Sequence, residues 1–207
     1  MKKLKVMFLA GVMAFSLVAC GDKKEETKES TVETTVETTE VLPERSPEKK
    51  EPLSAVKVLQ NIWNNYDEDQ KFPIAGGDMS PENNKMDAVG VFSLADPEAV
   101  DVALGLPASQ INNVGEAASI THMMNANTFT CAAFYVKDGT GSVEVSNDIV
   151  DNLRNRQWVC GMPDKYVVAD VEGYVVSFFG EQDLVEYFVT KMCATYPESV
   201  ILSEGDL

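Results

Sequence analysis

Leu53 to Tyr66 places Val56, Leu59 and Trp63 at helical spacing, with Leu53 and Ile62 widening the stripe, and predicts an amphipathic helix that stops before Phe72-Pro73. Ile74 to Pro81 combines Gly76-Gly77 with Ser80-Pro81, strong turn punctuation, and reads as a loop. Asp96-Pro97-Glu98 has the marks of a helix start, yet Val100, Val102 and Leu104 alternate with Asp101 and Ala103 up to Pro107. That alternation predicts a half-buried strand. Ile111 to Asn125 carries Val114, Ala117, Ala118 and Ile120 to Met124, and predicts a second helix whose alanines let it approach a sheet closely.

Thr128 to Val136 is apolar at both parities, the pattern of a central strand. Ser142 to Arg156 is a helix by its inward Val145, Ile149, Val150 and Leu153, with Ser142 as its cap and Gly161 and Pro163 beyond its end. Tyr166 to Val171 and Tyr174 to Phe179 flank Glu172-Gly173 as a hairpin, and Glu181 to Tyr196 is a last helix closed by Pro197. The order α-β-α-β-α-β-β-α predicts an α+β fold, a mixed sheet of about four strands with helices covering one side.

Residues 21–52 break this patterning. They are rich in Glu, Thr, Lys, Ser and Pro, with Val32, Val36, Val41 and Leu42 as the only large apolar residues, too few for a core. The near-repeat Thr31-Val32-Glu33-Thr34-Thr35 and Thr35-Val36-Glu37-Thr38-Thr39 marks a solvated, low-complexity tether. Ahead of it, Lys2, Lys3 and Lys5 precede an apolar run from Val6 to Ala19. The run is shorter than the ~18 to 20 residues a transmembrane helix needs, and suits a secretion signal.

That run ends in Leu17-Val18-Ala19-Cys20-Gly21, which resembles the lipobox of bacterial lipoproteins. The resemblance implies that residues 1–19 are a removed signal peptide, and that Cys20 carries a diacylglycerol thioether holding the chain to the outer side of a cell membrane. Residues 20–52 are then a tether and residues 53–207 a single α+β domain. Two acyl chains, at ~0.8 kcal/mol per buried CH₂, anchor firmly where one is marginal. Residues 111–196 are also similar in pattern to small lipoprotein domains of Gram-positive bacteria, a likeness that brings no assigned activity.

The 207 residues carry a formal charge of −16, of which −15 falls on residues 53–207. Such a charge opposes nucleic acid, whose binding depends on Lys and Arg displacing counterions. Cofactor motifs are missing: neither G-x-G-x-x-G nor G-x-x-x-x-G-K-[ST] occurs, and no serine sits in G-x-S-x-G. His122 is the single histidine, which excludes zinc sites with two His ligands and leaves it a structural reading beside Met123 and Met124. Asp67-Glu68-Asp69 with Asp78 and Glu82 offers oxygen ligands, but Phe72 stands where an EF-hand loop needs Gly, so no metal is expected.

With Cys20 lipidated, Cys131, Cys160 and Cys193 remain. Cys193 reads as a buried small hydrophobe four residues after Val189, which leaves Cys131 and Cys160 as the candidate disulfide. Trp63, Trp158, Tyr135, Tyr166, Tyr174 and Phe178 suit a core better than a cleft, and Met123-Met124 is read the same way. The resulting expectation is a lipid-anchored module that binds a protein or small-molecule ligand, with no catalytic residue assigned. The alternatives are an envelope hydrolase using paired carboxylates and an inhibitor or immunity factor.

Overall fold

The computed structural model describes residues 52–207; Cys20, the signal and the tether lie outside the described residues. In β5 (Phe129–Val136), Phe129, Cys131 and Ala133 enter one hydrophobic core while Ala132 and Phe134 enter another. A strand buried on both faces must lie inside a sheet with layers above and below it. The upper layer holds α1 (Ala55–Asn64) and α4 (Gln182–Thr195), packed through Leu59, Ile62, Phe188 and Met192. The lower layer holds α2 (Pro97–Leu104) and α3 (Ser142–Asn155), packed through Val100, Leu104, Ile149 and Leu153.

Among the described residues the sheet has eight strands, and every pairing is antiparallel. Besides β5 these are β1 (Ile74–Gly76), β2 (Lys85–Met86), β3 (Gly90–Val91), β4 (Val114–His122), β6 (Lys165–Val171), β7 (Tyr174–Gly180) and β8 (Val200–Asp206). Their order is β2-β1-β4-β5-β7-β6-β8, with β3 pairing β4 beside β1. This corrects the mixed sheet of about four strands that the sequence pattern predicts; the class stays α+β.

The expectation of helices on one side is also overturned, for a topological reason. From β5, α3 crosses to β6 over the position of β7; from β7, α4 crosses to β8 over the position of β6. Both crossovers step the same way across the sheet, but β5 and β7 run in opposite directions. Crossovers share one hand, so α3 and α4 must take opposite faces.

Three segments differ from their predicted state. Residues 97–104 are helical because local capping outweighs alternation: Asp96 accepts from the Glu98 and Ala99 amides at 3.1 Å each, Pro97 opens the first turn, and Gly105 at φ 79° closes the helix. Residues 114–122 form β4, where Ala117 and Ala118 are buried on opposite faces, so their small size serves close packing between neighbouring strands. Ile74 to Gly76 is a strand, not a loop: Gly76 is needed because a Cβ there would lie 2.3 Å from the Gly90 nitrogen. At α3 the cap is Gly141, and Ser142 is already its first helical residue.

The β6–β7 hairpin forms as predicted. Glu172 and Gly173 both have positive φ, 55° and 84°, the signature of a two-residue turn matched to strand twist.

Candidate functional site

A large recess opens on the α2 side, at the end of the sheet where β4 stops and β5 begins. It has a volume of about 670 Å³. Four segments wall it: the loop after β1 with Asp78 and Met79, the last turns of α2 with Val102, the β4–β5 connection with Met123 and Met124, and the loop after α3 with Arg156 and Trp158. Phe92 and Phe179 close its inner side. The wall is apolar although solvent reaches it: Met79 is 89% exposed, Met124 83% and Val102 70%.

Each wall segment is fixed by polar contacts behind it. Asp78 Oδ1 accepts from the Ser80 amide at 2.9 Å, and Oδ2 accepts from Asn83 Nδ2 and the Ser93 amide, both at 2.8 Å. Desolvation raises the Asp78 carboxyl, but these hydrogen bonds outweigh it and bring it down to about 2. Asn127 Nδ2 donates to the Val159 and Gly161 carbonyls at 2.7 Å each, and Asn125 Nδ2 to the Cys160 carbonyl at 3.2 Å. The loop after α3 is thereby stitched to the β4–β5 connection.

Arg156 leaves the end of α3 and reaches under α2. Its Nη2 donates to the Asp101 carbonyl at 2.5 Å and approaches Asp101 Oδ1 at 3.5 Å, while Nη1 donates to the Val102 carbonyl at 3.4 Å. The guanidinium lies 5.1 Å from the Trp158 ring centre, and Trp158 meets Phe179 edge-on at 5.2 Å. Burial lowers the Arg156 pKa, and Asp101 opposes that shift. The buried Trp158 Nε1 has no hydrogen-bond partner among the described residues.

The residues singled out by sequence fall in different places. His122 ends β4, not a helix; its ring stacks on Phe72 at 5.3 Å and its Nδ1 accepts from the Met124 amide at 3.2 Å. Met123 and Met124 are exposed on the cavity wall and contribute to no core, a correction set by the strand that ends just before them. Trp63, Tyr166, Tyr174 and Phe178 are core residues, Tyr135 is 37% exposed, and only Trp158 of that set reaches the cavity. Asp67 is held by Tyr187 and Lys191 at 2.6 and 3.0 Å, and Glu68 by Lys71 at 2.6 Å. Among the described residues, no three His, Cys, Asp or Glu side chains gather where they would hold a metal.

Among the described residues Cys131, Cys160 and Cys193 are free thiols, with no bridge between Cys131 and Cys160. Cys131 is sealed inside the sheet, where burial pushes its thiol up, whereas Cys160 sits exposed in the loop after α3. Cys193 is exposed too, on the outer side of α4, contrary to its buried reading. The cavity residues Met79, Asp78 and Val102 carry no motif. The signal available was, for Met79, a large apolar side chain amid turn punctuation and, for Val102, an apolar residue on a short helix.

No family model matches the chain, and no curated protein or solved structure shows significant similarity to it.

Proposed function

We propose that this protein is a lipid-anchored binding module on the outer side of a cell membrane, and that its folded domain takes an apolar ligand into the cavity beside α2. One observation carries the binding role: a recess of about 670 Å³ walled by solvent-exposed Met79, Met124 and Val102. Small-molecule sites span roughly 300 to 1,000 Å³ and are mostly apolar. Methionine is flexible and polarisable, which suits a wall that must fit against a ligand. A hydrolase working through two carboxylates is disfavoured at this site, because Asp78 is the one acid on its wall and its oxygens are taken by Ser80, Asn83 and Ser93. The lipobox at Cys20 and the tether supply the support for the anchor.

Binding is tested by titrating the purified chain with a neutral naphthylamine fluorophore that brightens in apolar surroundings. Wild-type protein should bind it, and Val102→Asp, which places a charge on the wall at an exposed position, should weaken binding about tenfold or more. A fluorophore that stays dim, or that binds Val102→Asp equally well, rejects the cavity as the site. Labelling cells with palmitate tests the anchor: label lost in Cys20→Ser is expected, and an unlabelled wild-type chain rejects it.

A further inference from the structure

The apolar cavity does not end at Trp158. A second recess of about 350 Å³ continues from it, and Val102, Asn127, Arg156 and Trp158 line both. Arg156 is the sole Lys or Arg on either wall, in a domain with eight basic residues against 23 acidic ones. A guanidinium has five N–H donors. Contacts to the Asp101 and Val102 carbonyls and to Asp101 Oδ1 engage three, leaving Nε–H and one Nη1–H without a partner among the described residues. The Asp101 carboxylate meets it through a single long contact of 3.5 Å, not a two-point fork. One acid lines each recess: Asp78, ionised at neutral pH by its hydrogen bonds, in the larger, and Asp101 beside Arg156 in the smaller.

We propose that the ligand is a single-chain anionic amphiphile, a long-chain fatty acid, with its carboxylate on a free N–H of Arg156 and its hydrocarbon along the methionine wall. This rests on the binding role proposed above and adds the headgroup chemistry to it. Charge complementarity at one end and an apolar wall at the other match a molecule with one acidic group and a long tail. Arg156 is the cation that both recesses share, so the head points toward the N–H groups that Asp101 leaves free and the tail toward Met79.

The experiment is competition by laurate and by methyl laurate against the naphthylamine fluorophore on the purified full chain, above neutral pH where the acid is ionised. A carboxylate accepting charged hydrogen bonds should displace the fluorophore at about tenfold lower concentration than the ester. In Arg156→Gln the two should become equal, while in Arg156→Lys, which keeps the charge, the acid should retain an advantage. Equal displacement by acid and ester from wild-type protein overturns the headgroup assignment and leaves the apolar site standing. Failure of the fluorophore itself to bind overturns the binding role beneath it. Because the wild-type comparison decides by itself, poor folding of an Arg156 variant does not rescue the idea.

Discussion

The Tyr174 hydroxyl lies 2.9 Å from the Leu53 carbonyl, joining β7 to the chain just ahead of α1. The same oxygen is 3.1 Å from Glu116 Oε1, which accepts the Ala55 amide at 2.8 Å. The first turn of α1 is thus held by side chains from two strands in addition to its own cap, Ser54. Tyr174→Phe removes the hydroxyl and leaves the ring packing, so it should cost about 1 kcal/mol in chemical denaturation. Its pH dependence is a sharper check. Desolvation, then Glu116, push the Tyr174 phenol up to about 12. A folded-state pKa above the unfolded value of roughly 10 means that stability is complete below pH ~10 and is lost as pH rises toward 12. The wild type should lose more stability over that window than Tyr174→Phe; parallel curves would show that the phenol is not coupled to folding.

Asp78 predicts the opposite slope. Its carboxyl is brought down to about 2 in the fold, so its contribution is present above the unfolded value of roughly 3.9 and disappears as pH falls through 2. Asp78→Asn should destabilise by about 1 to 3 kcal/mol at neutral pH. The gap from wild type should close on acidification. An Asn variant equally stable at neutral pH would mean that the loop from Gly77 to Ser93 does not depend on the charge.

Two glycines separate backbone strain from side-chain crowding. Gly105 closes α2 at φ 79°, and a Cβ there would sit 2.8 Å from Leu153 Cδ2; Gly139 has φ 89° with nothing within 4 Å. Gly139→Ala should therefore cost only the left-handed conformation, about 1 kcal/mol. Gly105→Ala adds displacement of a core leucine and should cost more, about 2 to 3 kcal/mol. Equal losses in thermal melts would mean that Leu153 yields freely.

The same α2 segment shows what the chain makes legible. Asp96, Pro97 and Gly105 are local signals for a helix and act locally, while the alternation of Val100, Val102 and Leu104 suggests a strand because it counts Val102 as buried. Val102 is exposed since it belongs to the cavity, so the feature that misleads about structure is the one that marks the site. The hairpin at Glu172-Gly173, α3 and α4 were legible because turn and periodicity agree there. β4 was not: Ala117 and Ala118 favour a helix locally, and only the flanking strands β1, β3 and β5 make them strand residues. β8 went unread because it is an edge strand with Val200 and Ile201 exposed, whose partner, β6, is separated from it in the chain by β7 and α4. The cavity is assembled from four separated segments, and no window of sequence contains it.

One of those joins can be cut without touching either core. Asn127 holds the loop after α3 through the Val159 and Gly161 carbonyls, and it is a polar residue outside the two hydrophobic clusters. Asn127→Ala should leave the melting temperature nearly unchanged, because local openings of a loop are separate from global unfolding. Amide exchange over residues 157–163 should rise, and fluorophore affinity should fall several-fold as the Trp158 wall loosens. Faster exchange with unchanged affinity would assign ligand binding to the Met79 and Val102 side alone. Unchanged exchange would show that Asn125, through the Cys160 carbonyl, is enough to keep the loop in place.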